Sequence, residues 1–235
     1  MEPYPRPEPT SVSTIDWLTR PVPVDAPLRL VFFPHAGGAP SGATPLARPL
    51  HPDVELWVAQ LPGRERRFAE PAATSLDDLV APLAAAVARL VAPPFVLFGH
   101  SMGGLLAYEV TRWLHANGGP SPAHLVVSAC PAPHLPRWRP PRYTLDDAAL
   151  RRWLVECGGV PEEVGDDPQL LDLLLPTLRA DLQACETHRH RPGPPVPCPI
   201  TAFAGADDPL VSPADMAGWR EHTAAGFALR TLAGG

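Results

Sequence analysis

A serine between spaced glycines is the feature of this sequence most suited to chemistry. The run Gly99-His100-Ser101-Met102-Gly103 has the form Gly-x-Ser-x-Gly. It follows the apolar segment Phe95 to Phe98 and leads into a helix-forming stretch that starts at Met102. A strand, a tight turn and a helix would hold the hydroxyl at an apex, in front of free N–H groups at the helix N-terminus. These residues predict that Ser101 is a nucleophile.

A serine nucleophile also needs donors for the oxyanion that forms when it attacks a carbonyl. The N–H of Met102, directly after the serine, is one expected donor. The second should come from the loop after an early strand, and Val31 to Gly38 has this form. We expect the Ala36 N–H to be that donor, although an ordinary Gly-Gly turn is the alternative. His35 and His100 are candidate pocket residues; the alternative for His35 is a hydrogen bond to the backbone, and the His100 side chain is expected to point away from the serine.

The acid that orients the base should follow a late strand. The segment Thr201 to Val211 runs from a predicted strand through Gly205 into two adjacent aspartates. We choose Asp208, which precedes a proline, and expect Asp207 to face solvent. The alternative is that both aspartates cap the helix that begins near Ser212.

The histidine base is missing from its expected place. In this architecture it follows the last strand, here Phe227 to Leu232, but the sequence ends at Gly234-Gly235. The other histidines are poorly placed, since we expect His222 on the surface and the rest near turns or hinges. None of them is predicted to be the base.

The elements around these residues indicate an α/β fold. Short apolar runs separated by helical stretches are typical of a parallel sheet covered on both faces. The predicted strands are Leu28–Phe33, Val54–Ala59, Phe95–Phe98, Leu125–Ala129, Ile200–Ala204 and Phe227–Leu232. The first predicted helix is Leu76–Val91, with a cap at Ser75 and a kink or a later start at Pro82. The second is Met102–Ala116. The third is capped by Ser212, starts at Pro213 and runs to about Thr223.

A Pro-bounded helical segment interrupts the alternation of strands and helices. Residues 131–195 are predicted to form a lid with helices near 144–157, 167–175 and 176–188; a fixed structural layer is the alternative. The core would then comprise 16–130 and 196–235, and the Pro-rich tail 1–15 is expected to be disordered.

Composition excludes several classes of function. The net charge of −6 gives no support to a nucleic-acid partner. We see no apolar run that could span a membrane and no signal peptide, and four cysteines without regular spacing suggest reduced thiols in a cytoplasmic protein. No metal or organic cofactor is implied, and a monomer is expected.

Several segments together resemble the type II thioesterases, stand-alone α/β-hydrolases that accompany polyketide and non-ribosomal peptide synthases. The resemblance runs from about Asp16 to Gly235. It rests on Phe33-Pro34-His35-Ala36-Gly37-Gly38, Leu61-Pro62-Gly63-Arg64-Glu65-Arg66-Arg67, Gly99-His100-Ser101-Met102-Gly103-Gly104 and Gly205-Ala206-Asp207-Asp208-Pro209, with Leu178-Arg179-Ala180-Asp181 and Phe227-Ala228-Leu229-Arg230 in support. It implies hydrolysis of acyl thioesters on the phosphopantetheine arms of acyl or peptidyl carrier domains, and removal of stalled acyl groups.

The family carries a catalytic histidine after its Gly-Gly, and this sequence departs from it there. We expect the natural chain to continue past Gly235 and to supply that base. A general carboxylesterase, or a carrier-binding module that has lost catalysis, are the alternatives.

Two further groups of residues have alternative interpretations. Leu173, Leu174, Leu175 and Leu178 would line an acyl channel or pack the lid onto the core. Arg64, Arg66 and Arg67 would meet an acidic carrier surface or bind nearby carboxylates.

Overall fold

The computed structural model describes residues 17–136, 140–158 and 167–234. The tail 1–15, for which we predicted disorder, lies outside these residues. So do Gly235 and two parts of the predicted lid, 137–139 and 159–166.

A seven-stranded sheet forms the centre of the described chain, in the order β1-β3-β2-β4-β5-β6-β7. β1 pairs antiparallel with β3, and the other neighbouring pairs are parallel. The strands are β1 Leu18–Thr19, β2 Leu28–Phe33, β3 Val54–Ala59, β4 Phe95–His100, β5 His124–Ser128, β6 Ile200–Gly205 and β7 Phe227–Leu232. This confirms the mostly parallel α/β-hydrolase sheet. The strand β1 was not predicted, because two residues are too short to show a period.

Helices cover both faces of the sheet. They are α1 Pro40–Leu50, α2 Asp77–Leu90, α3 Met102–Ala116, α4 Asp147–Glu156, α5 Pro168–Thr187 and α6 Pro213–Ala217, and a 3₁₀ segment, Gly218–His222, follows α6. On β2, Phe32 packs with residues of α1, whereas its neighbours Val31 and Phe33 pack in the larger cluster with α2 and α3. Because successive strand residues point to opposite faces, α1 lies across the sheet from α2 and α3.

Two helix starts differ in how well the sequence predicted them. The Ser212 hydroxyl accepts a hydrogen bond from the Asp215 N–H, and the Asp215 carboxylate accepts one from the Ser212 N–H, so the predicted cap is confirmed as a capping box. The Ser75 cap is wrong, because α2 begins at Asp77 after Leu76 with no side-chain cap. The helix α2 also continues through Pro82.

The predicted break near residue 176 is wrong. The helix α5 is continuous, although Pro176 lies inside it. Its buried leucines 171, 175, 178 and 182 form one stripe that packs with Leu150 and Leu154 of α4. An interior proline costs about 3 kcal/mol, and burying four leucines at about 1.5–3 kcal/mol each is enough to offset it.

None of the helices in the described ranges is long and apolar enough to cross a membrane.

Candidate active site

The predicted nucleophile lies at a strained turn between β4 and α3. Ser101 has φ 53° and ψ −120°, a conformation that a residue with a side chain rarely adopts. Its N–H donates to the Ser128 carbonyl at 2.8 Å, and its carbonyl accepts from the Gly104 N–H at 2.9 Å. The ends of β5 and α3 therefore hold the strained residue in place, as is common at functional sites.

Two glycines permit this turn because the backbone around it is too close for any side chain. A Cβ on Gly99 would lie 2.0 Å from the Gly103 carbonyl oxygen, and a Cβ on Gly103 would lie 1.9 Å from the Phe33 carbonyl oxygen. The first turn of α3 thus touches the end of β2, the strand that leads into the predicted oxyanion loop.

Ser101 is half-buried and lines a pocket of about 490 Å³. Ala36 and Met102, whose amides were predicted to bind the oxyanion, line the same pocket. Within the described residues, no hydrogen bond is made by the N–H of Ala36 or of Met102. Both amides are therefore available to a bound carbonyl oxygen, and their role stays a prediction.

The loop that presents Ala36 is a tight turn. The Gly38 N–H donates to the His35 carbonyl at 2.9 Å, and Gly37 has φ 77°. The Gly37 N–H donates to Asp181 Oδ2 at 2.7 Å. The neighbouring Gly37 amide is thus already bonded, whereas the amide of Ala36, a residue that lines the pocket, has no partner among the described residues.

The two candidate pocket residues, His35 and His100, both line the pocket, with ring centroids 5.9 Å apart. Burial and, to a smaller extent, His35 lower the pKa of His100 to about 4, although Asp208 acts in the opposite direction. His35 is exposed at the pocket, yet nearby protein atoms desolvate it enough to lower its pKa. The His100 Nδ1 lies 3.3 Å from Ser128 Oγ. Both rings are therefore neutral pocket walls at pH 7.

The two candidate acids occupy different environments. Asp208 is half-buried and lines the pocket, and its Oδ1 accepts from the N–H groups of Leu210 at 2.8 Å and Val211 at 3.1 Å. Asp207 is exposed. This geometry favours Asp208 for the acid, as chosen from the sequence, and its catalytic role stays a prediction.

The end of β7 lies beside this acid. The Ala206 N–H donates to the Leu232 carbonyl at 2.8 Å, and the Asp207 N–H donates to the Gly234 carbonyl at 2.8 Å. Gly234 also lines the pocket. Gly235 lies outside the described residues, and the expected histidine would follow it, so that base stays a prediction.

The surface position expected for His222 is wrong. Its side chain is buried, and burial lowers its pKa to about 4, with His190 and His134 adding to the shift. The Tyr108 hydroxyl lies 3.0 Å from His222 Nδ1, and His134 Nδ1 lies 2.7 Å from His222 Nε2. The sequence suggested a surface helix because the partners come from distant segments. His222 is not among the residues that line the Ser101 pocket.

The leucines of α5 divide between pocket and packing. Leu178 is buried and lines the pocket, whereas Leu174 is half-buried and is not among its described lining residues. Leu173 is 61% exposed, and Leu175 packs in the leucine cluster with α4. The acyl-channel role thus has a structural basis at Leu178 and none at Leu174. Sequence reasoning missed further lining residues of the inserted segment, among them Trp153, Leu154 and Leu182.

The three arginines of the loop after β3, at positions 64, 66 and 67, lie in different environments. Arg64 pairs with Asp181 at 2.7 Å and Arg67 with Glu70 at 2.6 Å, and both arginines are buried. Two of the three therefore bind carboxylates of this chain, which was one of the two interpretations. Arg66 is exposed.

The described residues contain no group of histidine, cysteine or acidic side chains that could hold a metal ion. What the site offers is a hydroxyl, two free amides and a carboxylate around one pocket. These groups are suited to acyl transfer through a serine.

Comparison with known proteins agrees with this chemistry. The model of the thioesterase domain family matches residues 28–235. Thioesterase PikA5 of Streptomyces venezuelae is 39% identical over 97% of this chain and 81% of its own length. Among solved structures, the type II thioesterase BorB from the borrelidin biosynthetic cluster superposes with a TM-score of 0.87 at 38% identity, covering 97% of this chain and 92% of BorB.

A second solved structure gives the same result. The thioesterase RedJ from the prodiginine pathway of Streptomyces coelicolor superposes with a TM-score of 0.85 at 39% identity, covering 99% of this chain and 84% of RedJ. The match of the family model over most of the chain, together with these relatives, shows that this protein belongs to the thioesterase family of α/β-hydrolases and is a thioester hydrolase.

Proposed function

We propose that this protein is an editing type II thioesterase, which removes acyl groups from the phosphopantetheine arms of carrier domains in polyketide or non-ribosomal peptide synthesis. One observation carries the proposal: the Ser101 hydroxyl sits at a strained turn in a pocket of about 490 Å³, together with the unbonded amides of Ala36 and Met102.

Ser101 Oγ attacks the thioester carbonyl, and the carbonyl oxygen becomes an oxyanion that accepts from the Ala36 and Met102 N–H groups. The C–S bond then breaks, the pantetheine thiolate leaves, and the acyl group stays on Ser101 as an ester. Water hydrolyses this ester and frees the acid. A thiolate is a good leaving group, so holding the oxyanion and orienting the acyl chain supply most of the rate enhancement.

Asp208 is the proposed acid partner of the base. Its Oδ1 is occupied by two amides of its own turn, which fixes the direction of the carboxylate. By resemblance to the family, the base is a histidine that follows Gly235. That position would continue from Gly234, whose carbonyl is bonded to the residue next to Asp208. In this arrangement Asp208 orients the histidine, and the histidine takes the Ser101 proton.

The pocket and the relatives support an acyl substrate presented by a carrier. Trp153, Leu154, Leu178 and Leu182 give the pocket an apolar wall that suits an acyl chain. The relatives named above are Thioesterase PikA5 and the thioesterases of the borrelidin biosynthetic cluster and the prodiginine biosynthetic pathway. We therefore infer that the partner is an acyl or peptidyl carrier domain. The substrate itself carries the phosphopantetheine, so no separate cofactor is needed.

The test compares acyl-pantetheine thioesters with oxygen esters of the same acyl group, using the protein at its natural length. We expect kcat/KM to be higher for the thioesters, and higher still when the acyl group is carried on a carrier domain. A clear preference for oxygen esters would identify a general carboxylesterase instead. Carrier binding without hydrolysis of any substrate would identify a binding module.

A further inference from the structure

A buried ion pair connects helix α5 to the loop after β3. Arg64 is 6% exposed and Asp181 is 1% exposed. The guanidinium donates from Nη1 to Oδ2 at 2.8 Å and from Nη2 to Oδ1 at 2.7 Å. This two-point geometry fixes the carboxylate in direction as well as distance.

The same two side chains also hold the glycine turn that presents Ala36. Asp181 Oδ2 accepts from the Gly37 N–H at 2.7 Å, and Arg64 Nη1 donates to the Gly38 carbonyl at 3.0 Å. The turn is therefore bonded on both sides, once at an N–H and once at a carbonyl.

These bonds determine where the Ala36 N–H points. That N–H shares a rigid peptide plane with the His35 carbonyl, which accepts from the Gly38 N–H. The next plane contains the Gly37 N–H, which Asp181 holds. The two planes meet at the Ala36 Cα, so fixing the Gly37 and Gly38 groups leaves the Ala36 amide little freedom to rotate.

Hydrogen bonds to neighbouring core residues hold Arg64 in position. Its Nε donates to the Pro62 carbonyl at 3.3 Å, and its own carbonyl accepts from Gln60 Nε2 at 3.0 Å. Asp181 in turn belongs to α5, which a second bond fastens nearby: Thr177 Oγ1 donates to the Gly63 carbonyl at 3.0 Å. The ion pair thus fixes the glycine turn in place relative to the core and to α5.

We propose that Arg64 and Asp181 are positioning residues for the oxyanion hole, an inference that rests on the thioesterase function proposed above. A buried ion pair is a poor source of stability, because apolar residues of similar volume often serve as well. Its directional bonds fix the orientation of the glycine turn, which apolar side chains could not do. It follows that the oxyanion hole is complete only while this part of α5 is docked on the core.

The direct test uses Arg64→Lys and Asp181→Asn, which keep the approximate size of each side chain but remove the two-point pairing. We expect kcat for an acyl-pantetheine thioester to fall about 10- to 100-fold, since small misplacements of catalytic groups have effects of that size. KM should stay within about threefold, because the acyl pocket is untouched.

A second readout separates positioning from general damage. An acyl trifluoromethyl ketone forms a tetrahedral adduct with the serine and places its oxygen in the oxyanion hole. Its affinity should fall by the same factor as kcat in both variants. The affinity of an acyl-pantetheine thioether, which forms no adduct, should stay at the wild-type value.

Arg67→Lys is the matched control. Arg67 is also 6% exposed, lies in the same loop, and pairs with Glu70, but its bonds go to that carboxylate and to the Gln60 carbonyl. None of its bonds to described residues reaches the glycine turn. We therefore expect wild-type kcat and wild-type affinity for the trifluoromethyl ketone.

The double variant Arg64→Met/Asp181→Leu separates positioning from folding. It replaces the ion pair with apolar residues, so it should unfold at a temperature near that of the wild type while kcat remains reduced. If a single variant fails to fold, the double variant decides the question.

Three results would overturn the inference. They are wild-type kcat in the folded single variants, wild-type kcat in the double variant, and an equal loss of kcat in Arg67→Lys. If the wild-type protein itself hydrolyses no thioester, the proposed function fails instead, so the two failures are distinguishable.

Discussion

The part of the pocket around Ser101 (the nucleophile side) and the part around Asp208 (the acid side) are held in different ways. On the nucleophile side, the backbones of β2, β4 and α3 touch each other, with Gly103 directly against the Phe33 carbonyl. On the acid side, Asp208 is held by two amides of its own turn, next to the edge strand β7, whose last three residues are exposed. Interior packing thus fixes the nucleophile, whereas a local turn fixes the acid, and substitutions should be tolerated differently on the two sides.

The largest expected effect comes from Gly103→Ala on the nucleophile side. The added methyl group would lie 1.9 Å from the Phe33 carbonyl oxygen, so the backbones of β2 and α3 would have to separate. We expect the free energy of unfolding to fall by about 3 kcal/mol or more, or the protein to be insoluble. Urea unfolding monitored by circular dichroism measures this.

Gly42→Ala is the control for that substitution. Gly42 lies in α1, and a Cβ placed there would meet nothing within 4 Å. Alanine is the better helix former, so the protein should be up to about 1 kcal/mol more stable. Equal stability of the Gly103→Ala variant and the wild type would show that the turn at Ser101 is less tightly packed than its distances indicate.

On the acid side, the expected effect is on rate and not on folding. Asp208→Asn keeps an oxygen for the Leu210 and Val211 amides but loses the charge that orients the base. We expect kcat to fall about 10²- to 10⁴-fold, with a change in unfolding free energy below about 1 kcal/mol. Asp207→Asn, at the exposed neighbouring position, should stay within about twofold of the wild type. A larger loss in Asp207→Asn than in Asp208→Asn would reverse the assignment.

The smallest expected effect is a dependence of stability on pH that involves two histidines, His100 next to the nucleophile and His222 away from the pocket. Burial lowers the pKa of both His100 and His222 from 6.5 to about 4. The unfolded chain takes up protons on these residues as pH falls below about 6.5, while the folded protein does not until about pH 4. Their contribution to stability is therefore fully present above about pH 6.5 and is lost as pH falls toward 4.

Between pH 7 and pH 5, each histidine should lower the free energy of unfolding by roughly 1–2 kcal/mol. His222→Gln should show a smaller loss of stability over this interval than the wild type, measured by urea unfolding at both pH values. An unchanged loss would mean that His222 does not carry a lowered pKa. The groups that contribute to its shift are His134, His190, Arg112 and Glu109.

The sequence predicted the features of the structure that depend on residues close together along the chain. The strands β2, β3 and β7 are short, mainly apolar runs, and their bounds were predicted to the residue. The turn at Ser101 was predictable because a strand, a glycine-flanked serine and a helix follow one another along the chain. The Asp208 turn was recognisable for the same reason.

Features that depend on distant residues were missed. Arg64 and Asp181 are 117 residues apart in sequence, so nothing local indicates that they pair. His222 was expected on the surface because its partners, such as Tyr108, come from another helix. The helix α5 was divided at Pro176 because local propensity disfavours an interior proline, whereas packing of its leucines against α4 keeps it continuous.

The most direct test of Ser101 as nucleophile is to trap the acyl group on the enzyme. Protein at its natural length is mixed with an acyl-pantetheine thioester and quenched in acid within the first turnover, and its mass is measured intact and after proteolysis. We predict one added acyl group, located on the peptide that contains Ser101 and absent from Ser101→Ala. An acyl group on another residue, or undiminished hydrolysis by Ser101→Ala, would contradict the mechanism.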